Sequence, residues 1–194
     1  MSEVIIITIV FSVILLGCYK IYSDYKWNLK PIDNFPFIHH GNEYWYSRSV
    51  ATSPFVFAKN SVNEWCVLAN KRGDGTPDYN GYWNIPCGYL QFNVSGEENC
   101  NKEVFEETGV NVPIDKFKLL GVETSPNANK QNVSIRYYAI MDGIVDDYPT
   151  NSNNSEKNEV ADIKWIPLNE IDNYEWAFGH NTIIKEIQNT ILNS

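Results

Sequence analysis

The chain has 194 residues, a length that suits one domain of about 100–200 residues plus an appendage. It carries 15 Lys+Arg against 24 Asp+Glu, a net charge of −9. That balance argues against a nucleic-acid duplex as partner, because such binding needs a basic footprint that displaces counterions from phosphates. Hydrophobic residues at 43% and aromatics at 14% exclude global disorder, since they supply enough apolar surface to offset chain entropy. Any phosphate chemistry on so acidic a chain calls for a metal cation as go-between.

Residues 4–19 (VIIITIVFSVILLGCY) form a run of 16 without a charge. As a helix this run spans roughly 24 Å, and roughly 28 Å if extended through Tyr22, against a hydrocarbon core of about 30 Å. Lys20 can snorkel to headgroups, and Tyr19, Tyr22, Tyr25 and Trp27 suit an interfacial belt. A cleaved secretory signal needs a positive leader, and Met-Ser-Glu is the opposite. The same deficit counts against reading Leu15-Leu16-Gly17-Cys18 as a lipoprotein cleavage box. A buried core helix would show a polar face, which this run lacks. The preferred reading is a single membrane anchor over residues 1–22. Lys20, Lys26 and Lys30 follow the span while Glu3 precedes it, so the remainder of the chain is expected on the cytoplasmic side.

The four cysteines, Cys18, Cys66, Cys87 and Cys100, form no Cys-x-x-Cys pair, and His39, His40 and His180 lie far from them. Neither a zinc site nor a disulfide framework is supported, and reduced thiols packed as small hydrophobes are the simplest reading.

Residues 23–45, with Pro31, Pro36 and several aromatics, read as a linker into a domain spanning 46–194. Strands are predicted at 49–58 and 65–70, then a loop at Gly73-Asp74-Gly75 and Pro77. Ser95 followed three positions on by Glu98 is a capping box, opening a helix that runs to Thr108 and stops at Gly109. Further strands are predicted at 118–124, 133–141 and 160–166, a loop at 146–159, and helices at 168–173 and 181–192. Strands mixed with two or three helices imply an α/β (α+β) layered domain.

Within the predicted helix Glu103, Glu106 and Glu107 stand at i, i+3 and i+4, a patch of like charge that destabilises a helix unless something offsets it. A hard divalent cation with oxygen ligands would do so. A solvated acidic face is the competing explanation on charge alone.

The stretch 88–110, GYLQFNVSGEENCNKEVFEETGV, decides between them. It resembles the Nudix hydrolase signature, G-x5-E-x7-R-E-U-x-E-E-x-G-U with U a bulky aliphatic. Gly88, Glu103, Val104, Glu106, Glu107, Gly109 and Val110 match at the correct intervals. Two positions depart: Val94 replaces the first glutamate and Lys102 the arginine. Lysine keeps the charge but loses the planar fork that grips a carboxylate from two sides.

The resemblance implies a Nudix-like α/β/α sandwich with a mixed sheet. It also implies hydrolysis of a diphosphate bond in a small-molecule nucleoside diphosphate derivative (a nucleotide, a nucleotide-sugar or an ADP-ribose-like compound), by water attack on phosphorus with Mg2+ or Mn2+. By position, Glu103 and Glu107 are implied metal ligands, with Glu106 close behind and the Gly88 carbonyl as a further ligand. Lys102 takes the place of the arginine that orients a catalytic carboxylate. The general base is Glu103 or a carboxylate of the 146–159 loop, Glu159 or Glu156. Arg48, at a strand start, suits either a substrate phosphate or a strand-edge charge. Tyr82 and Trp83, or Trp176 and Phe178, are candidates to stack a base, with core packing as the default for most of them. His180 reads as structural. A non-catalytic module that senses such a ligand at a membrane is the second functional reading, and pure scaffolding the third.

Overall fold

The computed structural model describes residues 35–125, 132–151 and 158–192. The proposed membrane anchor at 1–22, and Glu156, lie outside the described residues. No helix among the described residues is long and apolar enough to cross a membrane.

The chain divides into two units, 1–47 and 48–194. In the first, β1 (Phe35–His39) pairs antiparallel with β2 (Asn42–Tyr46). Their two connecting residues, His40 and Gly41, both have positive φ (49° and 80°), as the tightest hairpin turns require. Part of the stretch read as a linker is therefore a hairpin. Its Pro36 sits in a two-stranded ladder with an open side, where a missing N–H is tolerated.

The second unit is built on a mixed sheet of seven strands. The main path is β5 (Trp83–Asn84), β4 (Trp65–Arg72), β3 (Val50–Lys59), β8 (Val133–Ile144), β7 (Lys118–Glu123). Off this path, β6 (Gly88–Tyr89) pairs with β3, and β9 (Val160–Pro167) with β4. The β3–β8 pair is parallel and the others antiparallel, which bears out the mixed sheet.

The layering follows from the period of two in a strand. Phe55 and Phe57 of β3, with Val67 and Ala69 of β4, join Ile183, Ile184 and Ile187 in one core. The intervening Val56, Ala58 and Leu68 join Cys100 and Val104 in the other. Central strands buried on both faces read as continuous apolar runs, and PFVFA and WCVLA are such runs. The three isoleucines lie on α2 (His180–Ile187), and Cys100 and Val104 on α1 (Gly96–Thr108). The result is helix, sheet, helix.

Helix α1 begins and ends as the sequence predicts. The Ser95 hydroxyl accepts from Glu98 N–H at 3.2 Å, and the Glu98 carboxylate accepts from Ser95 N–H at 2.6 Å. Gly109, at φ +74°, adopts the left-handed conformation that closes the helix, its N–H donating to the Phe105 carbonyl at 2.8 Å. Other boundaries differ. Residues Leu168–Asn173 form a 3-10 turn rather than an α-helix, and α2 starts at His180 and widens into a π-type turn over Gln188–Leu192. The short β5 and β6 had no strand signature, because two residues carry no periodicity.

Candidate functional site

Strands β3 and β4 pair through Phe57↔Val67, Ala58↔Cys66 and Lys59↔Trp65 and then part company. The segment between them closes the gap: β5 takes up β4 (Asn70↔Asn84), and β6 takes up β3 (Thr52↔Gly88). A cleft of about 900 Å3 opens over this break in the sheet, and Asn70, Arg72, Cys87, Gly88, Glu107, Arg136, Glu159 and Phe178 contribute to its wall. Its size falls in the range of small-molecule sites, about 300–1,000 Å3.

Helix α1 brings two carboxylates to this region, one turn apart: Glu107 lines the cleft, and Glu103 lies against Gly88, which also lines it. The Glu103 carboxylate lies directly on the Gly88 backbone, in space that a Cβ at residue 88 would fill. Glu103 is therefore seated by a glycine, as the 88–110 pattern requires. Glu107 accepts from Asn70 Nδ2 at 2.9 Å and from the Cys87 backbone N–H. Burial, and then repulsion from Glu103, push the Glu107 carboxyl up to about 8. The Asn70 and Cys87 hydrogen bonds and the charge of Arg72 pull it down only in part. Two carboxylates so placed fit a hard cation, which would offset the burial and the repulsion that together raise the Glu107 carboxyl.

Glu106 does not join them. It points to Lys102, whose Nζ lies 2.7 Å from Glu106 Oε2 and 3.8 Å from Glu103 Oε1, and nearly half of its side chain is exposed. Among the described residues no three His, Cys, Asp or Glu side chains come together at metal-ligand spacing. The structure thus brings Glu103, Glu107 and Gly88 together, sets Glu106 to one side, and places Lys102 between Glu103 and Glu106.

Asn70 is 2% exposed, and its Oδ1 is buried with no hydrogen-bond partner. An unsatisfied buried acceptor costs about 1–3 kcal/mol. Asn84, its cross-strand neighbour, has a similarly unpaired Oδ1, while its Nδ2 donates to the Ile85 carbonyl at 2.7 Å.

Two neutral groups complete this part of the cleft. Burial and the nearby Glu107 push the Cys87 thiol up to about 12, so it remains a thiol. Burial, with the charges of Arg136 and Arg72, drives His180 down to about 3. The neutral imidazole accepts from the Ile85 N–H at 3.2 Å and packs edge-on to Phe55 at 5.7 Å. Both contacts are structural, and His180 also lines the cleft.

On another part of the wall, Arg72 is fixed by Asp78, donating to Oδ1 at 2.8 Å and to the backbone carbonyl at 3.0 Å. Its guanidinium lies 5.1 Å from the Phe178 ring centroid. Tyr79 meets Phe178 edge-on at 4.9 Å. Both aromatics hold left-handed backbone conformations (φ 52° and 57°), which cost energy for bulky residues and gather at ligand sites. Of the other aromatics considered, Trp83 is buried in the core, and Trp176 packs against it and donates to the Ile171 carbonyl at 2.9 Å. Tyr82 meets Tyr79 edge-on.

Arg48 is engaged by backbone carbonyls. Its guanidinium donates to the Thr124 and Asn132 carbonyls at 2.8 and 3.0 Å, tying together the chain on either side of residues 126–131, and it is not among the cleft-lining residues. These two bonds give it a structural task. Glu159 does line the cleft, and its carbonyl accepts from Gly73 N–H at 2.7 Å.

Sequence reasoning missed Asn70, Arg72, Tyr79 and Arg136. Asn70 left a signal, a polar residue closing the apolar run WCVLA. The others reach the cleft from separate strands and a loop, which no local pattern reveals.

A NUDIX domain model matches residues 48–187. No curated protein sequence matches significantly. Among solved structures, the NUDIX domain of Shewanella oneidensis NrtR, in complex with ADP ribose, is similar at 21% identity and a TM-score of 0.61, covering 74% of this chain and 88% of that one. A MutT/nudix family protein from Enterococcus faecalis gives 17% identity and a TM-score of 0.62, with 91% and 70% covered. A bifunctional NMN adenylyltransferase/ADP ribose pyrophosphatase from Francisella tularensis, complexed with AMP and a Mn ion, gives 18% and 0.62, with 89% and 46% covered. This chain therefore spans about half of that last protein.

Proposed function

We propose that this chain, which belongs to the Nudix family over residues 48–187 and is a Nudix-type hydrolase, cleaves the diphosphate bond of a nucleoside diphosphate linked to a second moiety, such as an ADP-ribose-like compound. The observation that carries the proposal is the pair Glu103 on Gly88 and Glu107 under Asn70, at a cleft wide enough for such a substrate. ADP ribose in one fold neighbour and AMP with Mn in another agree with it.

Glu103, Glu107 and the Gly88 carbonyl are the groups that would hold Mg2+ or Mn2+, with Glu106 behind them. Such a cation supplies neutralisation of the diphosphate, stabilisation of the leaving oxygen and a lowered pKa for water. Lys102 steadies Glu106 and reaches toward Glu103 as a point charge. Arg72 and Arg136 both line the cleft and suit phosphate oxygens. Glu103 and Glu159 are the two general-base alternatives. Phe178 and Tyr79 present the aromatic surface for a base.

We further propose that the apolar run at 4–19 holds this activity at a membrane, with the hydrolase domain on the cytoplasmic side. In sealed right-side-out vesicles the domain should then resist added protease, and ready digestion would refute the orientation.

The activity is tested by incubating the full-length chain with nucleoside diphosphate compounds and Mg2+ or Mn2+, and following release of phosphate or monophosphate. Glu107→Gln should lower turnover by at least about 100-fold while melting no lower than wild type. Wild-type turnover in that variant would overturn the assignment.

A further inference from the structure

We propose that Asn70 is itself an oxygen donor of the cation site: its Oδ1 faces the cation held by Glu103 and Glu107, while its Nδ2 holds Glu107 in place. The inference rests on the divalent-cation reading above.

Several observations converge on it. Asn70 is 2% exposed and its Oδ1 has no hydrogen-bond partner, a combination that in a native protein calls for a missing water, ion or ligand. The amide is planar and its nitrogen is anchored 2.9 Å from Glu107 Oε2, so the oxygen lies beside that carboxylate. With a cation bound and Glu107 therefore ionised, the reverse orientation would set two acceptors against each other, which favours nitrogen toward the carboxylate. Asn84 also has a buried unpaired oxygen, but Asn70 lines the cleft and Asn84 does not. Access to a bound cation separates the two.

The donor count agrees. The described carboxylates alone do not reach three at metal-ligand spacing, because Glu106 turns away to Lys102. Hard divalent cations take about six oxygen ligands and accept carbonyls alongside carboxylates. Glu103 and Glu107 balance a charge of +2, and the neutral oxygens of Gly88 and Asn70 add ligands without adding repulsion.

The test measures Mn2+ binding to the full-length chain by the paramagnetic resonance of free Mn2+, without substrate. Asn70→Leu keeps the volume and removes both the oxygen and the nitrogen that holds Glu107, and should weaken Mn2+ binding by at least about 10-fold. Asn70→Asp restores an oxygen and should bind within about 3-fold of wild type or tighter. If Asn70→Leu binds like wild type while Glu107→Gln does not, Asn70 is no ligand and the oxygen is met by water. If Glu103→Gln and Glu107→Gln also bind like wild type, the cation reading itself has failed. Should Asn70→Leu not fold, Asn70→Asp decides: added Mn2+ must raise its melting temperature by no less than binding about 3-fold weaker than wild type would give, and a smaller rise overturns the proposal.

Discussion

The raised pKa of Glu107 makes the metal-free stability of this protein depend on pH in a way that can be worked out in sign and size. A glutamate ordinarily near 4.5 and held at about 8 in the fold keeps its proton when folded and loses it when unfolded. Between those values the folded state binds the extra proton, so stability falls as pH rises. His180 acts in the opposite sense, because its fold-depressed value of about 3 against 6.5 makes stability rise with pH up to about 6.5. The two effects oppose each other between about pH 4.5 and 6.5 and leave a flat region there. From 6.5 to 8 only Glu107 of the two titrates, and the buried thiols, at about 11 to 12, stay protonated. One and a half units at about 1.36 kcal/mol each is about 2 kcal/mol, which partial access of the cleft to water reduces to about 1–2 kcal/mol. For a domain of this size that is a fall in melting temperature of about 3–6 °C. Thermal melts of the full-length chain in chelator, at steps from pH 5 to 8.5, measure it. Glu107→Gln should abolish the fall, and saturating Mn2+ should abolish it in wild type by binding the ionised carboxylate. A wild-type melting temperature that is flat or rising between pH 6.5 and 8, or an unchanged slope in Glu107→Gln, would rule out a protonated Glu107 in the metal-free fold.

Two further outcomes separate the binding surface from the scaffold. Tyr79→Ala and Phe178→Ala should each raise KM about 5- to 100-fold for a base-containing substrate with little change in kcat, since base stacking contributes about 1–3 kcal/mol; steady-state kinetics at saturating metal checks it, and an unchanged KM removes these rings from the site. Arg48→Met should instead lower stability by about 1–3 kcal/mol, as its bonds to the Thr124 and Asn132 carbonyls are lost, and leave KM within about 2-fold of wild type; denaturant unfolding and the same kinetics distinguish the two effects.

The features legible in the order of residues are local or periodic. The Ser95/Glu98 cap and Gly109 stop act within one helical turn, so the residues alone mark both ends of α1. The apolar runs PFVFA and WCVLA mark the strands that lie in the middle of a three-layer fold, because a strand buried on both faces has no polar side to show. The spacing of Gly88, Glu103 and Glu107 identifies the family, and with it the carboxylates.

Which groups share the cleft is a matter of three-dimensional packing. Glu106 matches the spacing as well as its neighbours, yet a step of about a hundred degrees around the helix turns it toward Lys102 and solvent. Arg48 has the right charge, and the carbonyls of Thr124 and Asn132, far along the chain, claim it. Asn70 becomes part of the site through the parting of β3 and β4, which lets β5 and β6 into the sheet and leaves an amide beside Glu107. A buried oxygen without a partner arises from contacts between distant segments, and so has no signature in the order of residues.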